Sequence, residues 1–159
     1  MKSSASFAIT AALLLAACGG QSANTNTDAE PVGFMGAQWS ATLAPPAGSP
    51  TPSVSGTATV MGNADSSQTK VEVALNGATP GAAHPWHLHR GTCGSDQGIV
   101  GDAAAYKPMT VGINGRATAT ATLEMPMPRT GEYMINVHAS PTDMGTIVAC
   151  GNLAAPSGN

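Results

Sequence analysis

The sequence predicts an all-β domain, either a sandwich or a Greek-key barrel of short strands. Composition is the first observation: 9% of the 159 residues are charged and 4% are aromatic, while the chain has 19 glycines and 12 prolines. Few charges and many turn-forming residues favour short strands over long helices. The second observation is that several short segments alternate apolar and polar residues, with turn signals between them. The length suits one domain with its own core.

The N-terminus, residues 1–17, is predicted to be a signal peptide that precedes the fold. Lys2 gives a positive start, residues 7–17 are apolar, and small residues end the stretch before Cys18. This ending is similar to a bacterial lipobox, which implies cleavage before Cys18 and a lipid on that cysteine. The alternative is an ordinary signal peptide followed by a chance cysteine. Because Gly19 is not the aspartate associated with inner-membrane retention, we expect a lipid anchor in the outer membrane, facing the periplasm.

Three segments follow the signal peptide. Residues 18–36 are rich in small polar residues and are predicted to be a lipidated flexible tether. Residues 37–154 form the predicted β domain, and residues 155–159 a short tail. The formal net charge of −3 offers no basic surface for nucleic acid, and no apolar run beyond the N-terminus is long enough to span a bilayer. We expect a monomer, because the outward strand faces are polar.

The strands are predicted from their alternation and from the turns that separate them. The clearest segment places Val71, Val73 and Leu75 on one face and polar or small residues on the other. Residues 91–107 lack strand character and are predicted to form a loop held at Cys93. The predicted strands are residues 37–43, 54–61, 69–75, 84–89, 116–124, 132–138 and 146–153.

Three of the four histidines lie within residues 84–89, HPWHLH. Because alternate side chains of a strand point to opposite faces, His87 and His89 share the face opposite Trp86. The apolar residues are expected in the core, so the two imidazoles are expected to point outward, side by side. Neighbouring neutral imidazoles can chelate a borderline metal such as copper or zinc. His84 has the opposite parity and is a poorer ligand candidate.

His138 is the natural third ligand. In residues 132–138 the inward positions are apolar, at Tyr133, Ile135 and Val137, so His138 is expected to point outward from a neighbouring strand. The sequence therefore predicts a three-histidine metal site on the outer face of the sheet.

The cysteines are interpreted from the expected compartment. If Cys18 carries lipid, Cys93 and Cys150 remain as an even pair outside the cytoplasm, and a disulfide between them is the default. The alternative, in which Cys93 is a metal thiolate, leaves Cys150 without a partner.

Several motifs together resemble the copper/zinc superoxide dismutase family across residues 37–153. They are His84-x-x-His87-x-His89, Val100-Gly101-Asp102, Val137-His138, Asp143-Met144-Gly145 and Ala149-Cys150-Gly151. The resemblance implies a Greek-key β-barrel of the superoxide dismutase type, with copper held outside it by the three histidines named above. It also implies that His84 supports the ligands from beneath and that Cys93 and Cys150 form the family's disulfide.

The function predicted from this resemblance is that of an extracytoplasmic copper-dependent oxidoreductase, which converts superoxide to oxygen and hydrogen peroxide. His87, His89 and His138 would be its catalytic residues. No histidine lies between His89 and His138, where the family has its bridging and zinc histidines. Asp102 alone remains as a possible vestigial zinc-site residue, and one carboxylate cannot hold zinc. We therefore expect copper without zinc.

Two other functions stay open. A periplasmic copper buffer or carrier without turnover would use soft thioethers for Cu(I), and Met125, Met127 and Met134 are its candidate ligands. Packing is the alternative role for these methionines. A structural or adhesive envelope domain would keep the fold and bind no metal.

Overall fold

A computed structural model describes residues 34–49 and 53–155. The predicted signal peptide, lipidated Cys18 and most of the tether and tail lie outside the described residues. The strands are β1 (Phe34–Leu43), β2 (Ser55–Asn63), β3 (Thr69–Asn76), β4 (Ala83–His84), β5 (Trp86–Thr92), β6 (Ser95–Ile99), β7 (Met109–Thr110), β8 (Ala117–Leu123), β9 (Tyr133–Ser140) and β10 (Asp143–Asn152). One short 3-10 helix, Ala103–Ala105, interrupts them.

The long strands form two antiparallel sheets. The first has the order β1-β2-β3-β8, the second has the order β10-β9-β5-β6, and β4 pairs with β7 separately. Strands β1 and β10 approach each other through the isolated bridges Ser40–Ala154 and Ala44–Cys150. The all-β prediction is confirmed and the arrangement is consistent with a sandwich. The described strands do not close into a barrel.

One hydrophobic core lies between the two sheets. Strand β3 buries the predicted alternating residues, which are at most 2% exposed, and β5 and β9 contribute the inner face of the second sheet. Since the period of a strand is two residues, these inward positions leave the intervening ones on the outer faces. The residues that are fully buried on β5 and β9 and belong to the core are Trp86, Leu88, Ile135 and Val137.

The predicted loop at residues 91–107 is wrong in part. Strand β6 pairs with β5 at the edge of the second sheet, and the 3-10 helix follows it. The strand lacks the alternation that sequence analysis needs, because it is a polar edge strand whose residues are almost all exposed. Its pairing with β5 is irregular after His89, where Gly91 adopts a φ of +96°, a conformation that favours glycine.

A disulfide joins Cys93, at the turn between β5 and β6, to Cys150 on β10, with Cα atoms 6.0 Å apart. Both sulfurs are therefore engaged, and the alternative of a Cys93 thiolate ligand does not hold. The bond fastens the edge hairpin across β9 to the opposite side of the sheet. Among the described residues, no helix is long and apolar enough to cross a membrane.

Replacing Cys93 and Cys150 together by serine is expected to lower the free energy of unfolding by about 2–4 kcal/mol, because the bond closes a loop of 57 residues in the unfolded chain. Urea denaturation of the oxidised protein and the double variant measures the difference. Equal midpoints would show that the hairpin is held without the disulfide.

Candidate metal centre

The register of β5 and β9 brings the three histidines together. Trp86 pairs with Val137 and His87 pairs with Asn136, so the face opposite the core carries His87, His89 and His138. Each ring offers a nitrogen, and these nitrogens all lie within 4.8 Å of one another. The predicted juxtaposition of the histidines is present in the structure, which contains a cluster that could bind a metal ion.

The rings are buried, although they lie on the outer face of the sheet. His87, His89 and His138 are 8%, 5% and 7% exposed. They leave the core face as expected, but other segments cover them. The Tyr106 ring lies edge-on to His87 with centroids 5.3 Å apart, and Asp96 reaches His89 from β6. The backbone at the start of β10 completes the cover at His138.

The His138 ring is oriented by a backbone carbonyl. Its Nδ1–H donates to the oxygen of Met144 at 2.7 Å. Nε2 therefore carries the lone pair of this ring, and it lies within hydrogen-bond distance of Nδ1 of His87, at 3.3 Å. Two nitrogens bound to one tetrahedral ion at usual Zn–N lengths are about 3.3 Å apart. The spacing of this pair therefore fits a shared ion.

The His89 ring is oriented by a carboxylate. Its Nδ1 lies 2.8 Å from Oδ1 of Asp96, which also accepts the Gly98 N–H at 2.7 Å. The other nitrogen, Nε2 of His89, is buried and has no hydrogen-bond partner in the described structure. An unsatisfied buried acceptor is costly, and a metal ion would satisfy it. This orphaned nitrogen supports the fit of the cluster to a metal.

Burial keeps the imidazoles of His87 and His138 neutral, which is the form that binds a metal ion. Burial, with smaller effects of His138 and His89, lowers the pKa of His87 to about 4. Burial also lowers the pKa of His138. Burial of Asp96 opposes its ionisation, but the Gly98 N–H and the His89 ring outweigh it, and the pKa of this carboxyl lies below its ordinary value. The carboxylate of Asp96 and the neutral imidazoles of His87 and His138 therefore coexist at neutral pH.

The free energy of unfolding of the metal-free protein is expected to fall by about 1–2 kcal/mol as the pH drops from 6.5 to 4, because unfolded His87 takes up a proton that the folded ring refuses. Above pH 6.5 both states are neutral and this contribution is constant. Urea midpoints measured across that interval test the slope. His87→Asn should have a shallower slope, and an identical slope in that variant would contradict the assignment.

The structure also describes His84, predicted as a supporting residue, and Asp102, predicted as a possible vestigial zinc-site residue. His84 is buried, and its Nδ1–H donates to the backbone oxygen of His138 at 2.9 Å. It lies outside the cluster and holds the strand that carries a ligand. Asp102 is exposed and accepts the Ala104 N–H at 2.9 Å, so it caps the 3-10 helix. The described residues give it no place in the histidine cluster.

Sequence analysis missed the groups that surround the rings. Asp96 follows His89 by seven residues, and a carboxylate so close to a histidine pair was the available signal. No sequence pattern marked Tyr106, because its contacts with Trp86 and His87 depend on the path of the chain between β6 and β7. The Met144 carbonyl is a backbone group and has no residue signature.

Comparison with protein families decides what kind of domain this is. A family model of the CHRD domain matches residues 39–147, more than half of the chain. The chain belongs to the CHRD domain family. A comparison with curated proteins finds none that matches the chain. The matched region of the CHRD domain runs from β1 into β10 and contains all three histidines of the cluster.

This membership corrects the resemblance drawn from the short motifs. The family is not copper/zinc superoxide dismutase, and nothing beyond those motifs supports that family, its oxidoreductase activity or superoxide as a substrate. Two of the motifs contain the residues of the histidine cluster, and a third contains Cys150 of the disulfide. The predicted dismutase function of this CHRD domain is therefore wrong.

The predicted copper buffer or carrier with methionine ligands is wrong as well. The family match gives it no support, and the methionines on which it depended have packing roles. Met125 and Met127 pack against the hydrophobic core. Met134 is fully buried, and its sulfur lies 3.8 Å from that of Cys150, so it contacts the disulfide.

A groove of about 760 Å³ runs beside the cluster of the CHRD domain. Residues 44–49, after β1, form one side of it, and Asp96, Asn136, His138 and Met144 line the other parts. His138 is the histidine of the cluster that reaches this groove. Solvent and ions would approach the buried rings from this direction.

Proposed function

We propose that this CHRD domain is a metal-binding domain that holds one late first-row transition-metal ion through His87, His89 and His138. The observation that carries the proposal is the three buried imidazoles, whose nitrogens converge within 4.8 Å. Two of the rings have their other nitrogen tied, to Asp96 and to the Met144 carbonyl. Metal-binding histidines are commonly oriented by such partners.

Copper is the ion that we propose. Imidazole is a borderline ligand that suits copper, zinc, iron and nickel, and affinity along the divalent series peaks at copper. The disulfide occupies the sulfurs of Cys93 and Cys150, and Met134 contacts Cys150. The donor set is therefore three nitrogens without a thiolate, which excludes an iron–sulfur cluster and leaves zinc as the main competitor of copper.

We propose that the domain lies outside the cytoplasm, where a lipid on Cys18 tethers it to the outer membrane. We also propose that it is a monomer. The support for this location is the residues before Cys18 together with the disulfide, since disulfides persist in oxidising compartments. Labelling with radioactive palmitate in cells tests the anchor. Cys18→Ser should lose the label and leave the membrane fraction, and a variant that stays labelled would contradict the assignment.

Calorimetric titration of the full chain with copper(II) and with zinc(II) tests the metal. We expect one ion per chain, and copper to be retained when both ions compete. The variant in which alanine replaces all three histidines of the cluster should bind neither ion. Retained binding in that variant, or no binding to the wild type, would overturn the proposal, and retention of zinc over copper would reject copper alone.

Metal binding should also stabilise the fold. Free ion at 100 times its dissociation constant is expected to raise the free energy of unfolding by about 2.7 kcal/mol, if the unfolded chain does not bind it. Urea denaturation with and without the metal measures this gain, and the triple variant is the control.

A further inference from the structure

The contact between His89 and Asp96 differs from the other contacts of the cluster. Nδ1 of His89 lies 2.8 Å from Oδ1 of Asp96, whereas His138 uses a neutral backbone carbonyl. A carboxylate accepts hydrogen bonds and does not donate them, so Nδ1 of His89 carries the proton. The unpartnered Nε2 of the same ring is then an acceptor, buried beside the other two histidines.

The position of Asp96 is itself fixed. The same Oδ1 accepts the Gly98 N–H at 2.7 Å, which holds the carboxylate against its own strand. The turn before β6 is fastened to β10 by the disulfide of Cys93 and by the Cys93 N–H, which donates to Oδ1 of Asn152 at 2.7 Å. The carboxylate is therefore presented to His89 from an anchored edge strand.

We propose that Asp96 is a positioning residue of the metal centre, which holds His89 in the Nδ1–H tautomer so that the Nε2 lone pair is free for the ion. This inference rests on the proposed function and adds a residue that sequence analysis did not find. A negatively charged partner also raises the basicity of a ligating imidazole. Asp96 thus links the exposed edge hairpin to the affinity of the buried site.

The tautomer can be measured without any metal. Long-range proton–nitrogen correlation spectra of the full chain are expected to show His89 as the Nδ1–H tautomer. In Asp96→Ala the ring should shift toward the Nε2–H tautomer. In Asp96→Asn it should stay as in the wild type, because the Gly98 N–H keeps an oxygen acceptor at that position. An unchanged tautomer in Asp96→Ala would overturn the inference.

Affinity is the second measurement, with copper(II) as the probe. Loss of an orienting partner usually costs about 10–100-fold in metal affinity, and we expect Asp96→Ala to lie in that range. Asp96→Asn should recover part of the loss, since it restores the acceptor without the charge. Asp102→Ala is the matched control, because it removes one carboxylate from the same segment without touching the cluster. An equal loss in both alanine variants would overturn the inference.

The two measurements separate this inference from the proposed function. A wild-type chain that binds neither copper nor zinc but has an Asp96-dependent tautomer overturns the proposed function and leaves to Asp96 only the orientation of the His89 ring. A wild-type chain that binds copper as tightly as Asp96→Ala does overturns the role of Asp96 alone.

Discussion

Replacing His138 by alanine is expected to weaken copper binding at least about 100-fold, which exceeds the loss usual for an orienting partner. The variant removes the one cluster ring that reaches the groove and whose Nε2 lies 3.3 Å from His87. The fold should persist, with the free energy of unfolding lowered by about 1–2 kcal/mol, because the Met144 carbonyl loses its partner. Calorimetry gives the affinity and urea denaturation the stability.

His84→Ala is the matched control for that variant. His84 is equally buried and also donates one hydrogen bond to a backbone carbonyl, but its ring is outside the cluster. We expect a similar loss of stability with copper affinity within about tenfold of the wild type, in line with an outer-shell effect. If both variants lose affinity to the same extent, the loss reflects general disruption and the ligand assignment of His138 is wrong.

The second large effect is expected in the core. Trp86→Ala should lower the free energy of unfolding by about 3–5 kcal/mol, the usual cost of truncating a buried aromatic residue. Trp86 is fully buried, its Nε1–H donates to the Lys107 oxygen at 2.8 Å, and its ring lies edge-on to Tyr106. The truncation therefore removes packing and leaves a carbonyl without its partner. Urea denaturation of the metal-free protein measures the loss.

Two further variants keep this prediction testable. Trp86→Phe retains a ring but lacks the Nε1–H, so it should lose less than alanine does and remain folded. Ile113→Ala is the exposed control: Ile113 is 99% exposed, and substitutions at such positions usually change stability by less than about 0.5 kcal/mol. A Trp86→Ala variant no less stable than Ile113→Ala would contradict the assignment of Trp86 to the core.

Family membership shows how short motifs and a whole domain differ as evidence. A histidine pair two residues apart on a strand, a third histidine on a neighbouring strand and two cysteines occupy only a few positions. Any all-β protein that builds a histidine cluster on one sheet face can place residues in this way. The CHRD match extends over residues 39–147, more than half of the chain. For that reason the longer match decides the family.

Composition and alternation predict the all-β class, most of the strands and the inward faces of β3, β5 and β9. Alternation also places His87 and His89 on the face opposite Trp86, because the two-residue period of a strand is a local property. Strand β6 was not predicted, because a polar edge strand has no buried face and therefore no alternation of apolar and polar residues.

Contacts between distant parts of the chain determine which groups surround the three histidine rings. The register of β5 against β9 sets the distance from His87 to His138, and register is fixed by pairing between distant parts of the chain. The hairpin that brings Asp96 to His89 and the segment that places Tyr106 against His87 bury the rings, of which only the outward direction was predicted. Such burial depends on contacts across the fold, which the local periodicity of a strand does not encode.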